Sequence, residues 1–206
     1  MARMPVVCLV VLSFLSGAVP YSVILGKLFL NKDIRKYGDG NPGGANVWRA
    51  SGPVFGLVAI ALDFLKAYFP VYYAATASSL PQNALMAVAI APVAGHAFSP
   101  FLRFRGGKAV ASTYGIWFAL YGLTDGLLVM ALTSAFFVII QTIDAWSVLM
   151  GMGALLVYLL LNNAETYLRL LCLMNLSIVA YKHRKDLKPI KLRPVLATVI
   201  RGSKWI

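Results

Sequence analysis

Residues 84–111 read ALMAVAIAPVAGHAFSPFLRFRGGKAVA. The first two-thirds are apolar for about the 20 residues that a bilayer crossing needs. The remainder closes that run with Arg103, Arg105, the pair Gly106-Gly107 and Lys108, and His96 stands just inside it. Such groups suit an anion, a phosphate above all, held at a membrane surface. Glycines let backbone N–H groups come close to an anion, and lysine adds a point charge. The same basic residues also suit the solvated, headgroup-facing end of a transmembrane helix. Taken alone, the stretch leaves both readings open.

Working outward, the composition sets the class. Hydrophobic residues make up 60% of the 206 positions and charged residues 13%, and mean hydropathy is +0.76. A soluble domain carries about a quarter charged residues. The expectation is an all-α integral membrane bundle forming one domain over 1–206, because no polar stretch is long enough for a separate soluble unit. Seven spans fit: roughly 5–29, 53–77, 84–102, 108–122, 125–141, 145–162 and 165–181. Several are short, which suggests tilted or partly re-entrant helices lining a protein cavity. Segment 5–29 is too long for a signal peptide and runs into a basic loop, so it reads as the first span. Cys8 and Cys172 both lie in apolar segments without metal-ligand spacing and read as packing residues.

Charge gives the orientation. Loop 30–52 carries Lys32, Arg35, Lys36 and Arg49, and loop 103–108 carries Arg103, Arg105 and Lys108. The tail carries Lys182, Arg184, Lys185, Lys188, Lys191, Arg193, Arg201 and Lys204. The alternate loops 78–83, 122–125 and 162–165 contain no lysine or arginine. The positive-inside rule then puts the N-terminus outside and the C-terminus in the cytoplasm, in agreement with an odd span count. The net charge of +12 is one-sided and marks a face for anionic lipid, anionic substrate or both. No reading helix or stacking module accompanies it, so nucleic acid is not the partner.

Within the first basic loop, Gly38, Gly40, Asn41, Pro42, Gly43, Gly44 and Asn46 crowd together, a composition at odds with a regular helix. Asparagine both donates and accepts, and close glycine backbone can form an anion-binding concavity. A flexible connector is the other reading. Asp63 and Lys66 sit three apart on one helical face at membrane depth, as an ion pair pinning helices or as the wall of a polar cavity. The run after the last span, from Tyr181 to Lys188, is either a plain basic anchor or part of a site containing His183.

Together these segments resemble the bacterial acyl-phosphate:glycerol-3-phosphate acyltransferases, the PlsY family. That family shows motifs like GSGNxGATNxxR, GHxFPxFxxFKGGKGVAT and YRHRENIxRL. This chain has GDGNPGGANVWR at 38–49, GHAFSPFLRFRGGKAVAS at 95–112 and YKHRKDLKPI at 181–190, and LDFLKAYFPV at 62–71 is similar to LDxxKGxxPV. The resemblance implies a seven-helix enzyme of the bacterial plasma membrane, a monomer without cofactor or metal, its site facing the cytoplasm. It implies acyl transfer from acyl phosphate to the 1-hydroxyl of glycerol 3-phosphate. By position it puts Lys108, His183 and Asp39 at the catalytic centre. It gives substrate binding to Asn41, Asn46, Arg49, His96, Gly106, Gly107, Lys108, Ser112 and Asp186, with Gly106 and Gly107 offering N–H groups to a phosphoryl oxygen. The alternative is a non-enzymatic or acceptor-altered member of the same fold, a lipid-phosphate binder or small transporter. Several positions depart from the motifs. Asp39 stands where the family has serine, Gly44 and Ala45 where it has alanine and threonine, Ala109 where it has glycine, Ser112 where it has threonine, and Lys185 and Asp186 where it has glutamate and asparagine.

Overall fold

The computed structural model describes residues 4–77 and 79–193, and the basic residues Arg201 and Lys204 lie outside them. Its nine α-helices among the described residues are α1 (Val6–Ala18), α2 (Tyr21–Leu30), α3 (Gly44–Ser51), α4 (Pro53–Ala77) and α5 (Gln82–Ala97), then α6 (Val110–Tyr121), α7 (Asp125–Ile140), α8 (Asp144–Leu161) and α9 (Thr166–His183). Four segments are long and apolar enough to cross a membrane: Val6–Leu30, Pro53–Ala77, Gln82–Leu102 and Asp144–Leu161. The apolar helix Asp125–Ile140 is shorter.

Two local outcomes differ from the sequence reading. The first span is not one helix but two, because Pro20 supplies no N–H and pushes Val19 out of helical geometry. The carbonyls freed at that break are satisfied across the bundle. Ser99 donates to the Ala18 carbonyl at 2.6 Å, and the Lys66 ammonium donates to the Val19 carbonyl at 2.8 Å. Pro70 inside α4 likewise leaves the Lys66 carbonyl without its helical donor, and Ser16 supplies one at 2.7 Å.

The second difference is α3, a helix where the glycine-rich loop predicts none. Packing overrides glycine's weak propensity here. Val47 and Ala50 are buried, and Gly44 lets α3 lie against α4. A Cβ at Gly44 would stand 2.5 Å from Ile60 Cγ1.

Small residues set the other close crossings, as in membrane bundles generally. α1 meets α5 where a Cβ at Gly17 or at Gly95 would stand 2.1 Å from the Pro92 or Phe14 carbonyl oxygen. Polar ties cross the core between α6 and α9: Trp117 donates to Asn175 at 3.1 Å, and Asn175 donates to Thr113 at 2.9 Å.

The loops gather at two ends. At one, Gln82 donates to Glu165, joining two of the loops that lack lysine and arginine. At the other, the chain after α9 crosses the α7–α8 turn. Thr142 N–H donates to the Lys191 carbonyl at 2.9 Å, and the Trp146 indole donates to the Lys188 carbonyl at 2.9 Å. This second end collects the basic loops.

Candidate active site at the basic end of the bundle

Lys108 lies in the turn that enters α6. The next residue, Ala109, is left-handed at φ 61°, a conformation that costs a non-glycine residue about 1–2 kcal/mol. Lys108 Nζ stands 2.5 Å from Asp39 and 2.8 Å from Asp186, so it joins the first basic loop to the end of α9. Asp39 Oδ1 faces the other way. It accepts from the Asn41 N–H at 3.1 Å and from Asn46 Nδ2 at 2.9 Å. Asn46 Nδ2 also donates to the Asn41 carbonyl at 2.9 Å, while its Oδ1 accepts from Arg49 at 2.8 Å. The residues that argued against a helix are thus the ones that knit the loop preceding and opening α3.

Burial favours the neutral form of both Asp39 and Lys108, but their mutual contact wins. Desolvation alone would raise Asp39, yet hydrogen bonding from Lys108 leaves its carboxyl below the ordinary value of 3.8. Desolvation alone would lower Lys108, yet Asp186 and Asp39 leave its ammonium above the ordinary value of 10.5. The pair is therefore complete between those two pH values. Its contribution is lost as pH falls through the lowered carboxyl value or rises through the raised ammonium value. Away from the pocket, the Arg35 side chain holds Asp33 down to about 2.

Behind the lysine lies a buried polar layer. Asp63 pairs with Lys66 at 2.7 Å and accepts from Ser22 at 3.1 Å. His96 is buried, its Nδ1 3.6 Å from Asp63 and without a hydrogen-bond partner among the described residues. Lys182 is committed to the Ala97 and Gly106 carbonyls at 2.9 and 2.8 Å. His183 is buried, its Nδ1 2.9 Å from the Val179 carbonyl.

Three assignments change. The Gly107 N–H already donates to the His96 carbonyl at 3.0 Å, so it does not serve a phosphoryl oxygen. Gly107 acts instead as space: a Cβ there would stand 2.2 Å from His96 Nε2, and one at Gly106 would stand 2.0 Å from the His96 carbonyl oxygen, so neither position has room for a side chain. Ser112 is a buried strut whose hydroxyl donates to the Asp63 carbonyl at 3.0 Å, and it is not among the residues that line the cavity described below. Asn46 is buried beneath the loop and positions Asp39 and Arg49. From this geometry, Gly107→Ala displaces the His96 ring and destabilises the protein by about 1–3 kcal/mol. Thermal unfolding should show that loss, and adding His96→Ala to the same protein should recover most of it. No recovery would mean that the glycine serves something other than room for the ring.

These parts surround a cavity of about 440 Å³. Its polar lining includes Asp39, Asn41, Arg49, His96, Lys108 and His183, so six of the residues singled out by the motifs meet there. Its apolar lining includes Ile60, Phe64, Val110, Tyr114 and Val148. Asp144 also lines it and was not singled out from sequence. The available signal was a carboxylate at the first position of a span, on the basic side of the protein. A bound molecule would thus meet charge at one end and hydrocarbon at the other.

The glycerol-3-phosphate acyltransferase family model matches residues 7–192. Glycerol-3-phosphate acyltransferase 1 of Thermotoga maritima is 39% identical over 194 residues, covering 87% of this chain and 95% of its own length. Glycerol-3-phosphate acyltransferase 2 of Bacillus anthracis is 35% identical over 182 residues, covering 87% and 92%. In fold, the chain is similar to the crystal structure of PlsY, an integral membrane glycerol 3-phosphate acyltransferase, in its glycerol 3-phosphate form. The TM-score is 0.81 at 24% identity, covering 96% of this chain and 92% of that one. With its motifs folded into one pocket and the family match spanning nearly its whole length, the chain belongs to the glycerol-3-phosphate acyltransferase family.

Proposed function

We propose that this protein is a membrane acyltransferase that moves a fatty acyl group from acyl phosphate to the 1-hydroxyl of glycerol 3-phosphate, giving lysophosphatidate for phospholipid synthesis. The observation that carries the reading is the two-part cavity. Arg49, Lys108 and His183 stand at a polar mouth, and Ile60, Phe64 and Val148 form an apolar wall where an acyl chain would lie. The hydroxyl oxygen attacks the acyl carbonyl carbon, the bond from that carbon to the phosphate oxygen breaks, and the departing phosphate takes the hydroxyl proton. Acyl phosphate carries its own leaving group, so holding the reactants and balancing their charge supply the catalysis. Lys108 and Arg49 meet phosphate oxygens, Asn41 and His96 shape the mouth, and His183 orients the acceptor.

In this reading the chain is one domain with seven crossings, working as a monomer without cofactor in the bacterial plasma membrane. The N-terminus is outside and the basic end, with the site, faces the cytoplasm. The segregation of basic and lysine/arginine-free loops to opposite ends supports that orientation. A cysteine placed at position 80 should react with an impermeant reagent from outside, and one at position 188 only from the cytoplasm. The reverse pattern would overturn the orientation.

The activity is tested with detergent-purified protein and palmitoyl phosphate. Phosphate release should require glycerol 3-phosphate, acyl-CoA should be a poor donor, and a chelator should leave the rate unchanged. Binding of acyl phosphate without release, for every polyol phosphate offered, would favour a lipid-phosphate binder of the same fold.

A further inference from the structure

The chain has seven acidic residues against 19 lysines and arginines, yet Asp39, Asp63 and Asp144 line one cavity and Asp186 stands on its lysine. Lys108 directs two contacts to the Asp39 and Asp186 carboxylates, at 2.5 and 2.8 Å. Lys66 is paired with Asp63, and Lys182 is turned to backbone carbonyls. Arg49 forms no ion pair among the described residues and is the cation left to the mouth, with Asp144 across the same cavity. A mouth that receives a phosphate dianion gains from spare positive charge, and here the two carboxylates on Lys108 remove it. A carboxylate beside an incoming dianion is also repelled by it.

We propose that Asp39 and Asp186 determine acceptor specificity. By holding Lys108 between them they weaken the mouth's hold on a phosphate bearing two negative charges more than its hold on one bearing a single charge, and so raise KM for a dianionic acceptor relative to a monoanionic one. Their oxygens also accept hydrogen bonds from acceptor hydroxyls. This inference rests on the acyltransferase reading above. It separates the two carboxylates from one another mechanically: Asp39 is knit into its loop by Asn41 and Asn46, whereas Asp186 follows α9.

The test compares two acceptors at pH 8 with palmitoyl phosphate as donor. Glycerol 3-phosphate is then a dianion, since the second ionisation of a phosphomonoester lies near about 6. Its methyl phosphodiester keeps a single charge at every working pH. Asp39→Asn and Asp186→Asn together should lower KM for glycerol 3-phosphate by about tenfold while moving KM for the diester by less than about threefold, because only the dianion feels the full removed charge. The ratio of the two KM values in one preparation cancels any loss of folded protein. Asp186→Asn alone, outside the knitted loop, should shift the ratio in the same direction if the double variant folds poorly. An unchanged ratio in both variants, with glycerol 3-phosphate acylated normally, would overturn the specificity role and leave the acyltransferase reading standing. Failure of the unaltered protein to acylate either acceptor would overturn both.

Discussion

Replacing Lys108 with alanine should lower kcat/KM for acyl transfer by about tenfold to a hundredfold and leave a folded protein. One charge-assisted contact to a phosphate contributes about 1.5–3 kcal/mol, and 1.36 kcal/mol is tenfold in rate. The variant also leaves Asp39 and Asp186 without the ammonium that lies between them, so the mouth turns more negative just where an anion must enter. Arg103→Ala is the control. Arg103 is exposed in a left-handed turn and forms no ion pair among the described residues, so its loss should change the rate less than about twofold. Steady-state phosphate release, with size-exclusion elution to establish folding, decides the matter. Equal small losses in both variants would reduce the whole cluster to a headgroup anchor.

Lys66→Met should destabilise the protein by about 3–5 kcal/mol, the range seen when one partner of a buried ion pair is removed. Lys66 and Asp63 are both buried and 2.7 Å apart. The ammonium also caps the Val19 carbonyl where Pro20 breaks the first span. Without it, the Asp63 carboxylate keeps the Ser22 hydroxyl as its one hydrogen-bond donor among the described residues, with His96 Nδ1 3.6 Å away, and the break in the first span loses a donor. The midpoint of thermal unfolding should fall by roughly 6–20 °C for a chain of this size. Adding Asp63→Asn to the same protein should recover much of the loss, because the stranded charge is then gone. A double variant no more stable than Lys66→Met would show that the carbonyl cap, and not the carboxylate, is what the lysine serves.

Sequence by itself determined the class and the ingredients. Apolar runs long enough for a bilayer, interrupted by loops that are alternately basic and free of lysine and arginine, require a helical membrane bundle with two unlike ends. The motifs at 38–49, 95–112 and 181–190 supplied most of the polar lining of the cavity. Tertiary structure alone decided what those residues face. Whether a glycine N–H is free or committed depends on which carbonyl approaches it, and at Gly107 it is the carbonyl of His96. Whether a serine binds substrate or braces two helices depends on crossing geometry, and Ser112 meets the Asp63 backbone. The poor helix propensity of glycine argued against α3, but it amounts to about 1 kcal/mol per residue and yields to the burial of Val47 and Ala50. Asp144 entered the site for the same reason: it is distant in sequence from Asp39 and Lys108, and only the packing of the bundle brings it to the same cavity. The motif placed Asp186 in the site, but only the fold shows it 2.8 Å from Lys108, where Coulomb attraction outweighs any local preference.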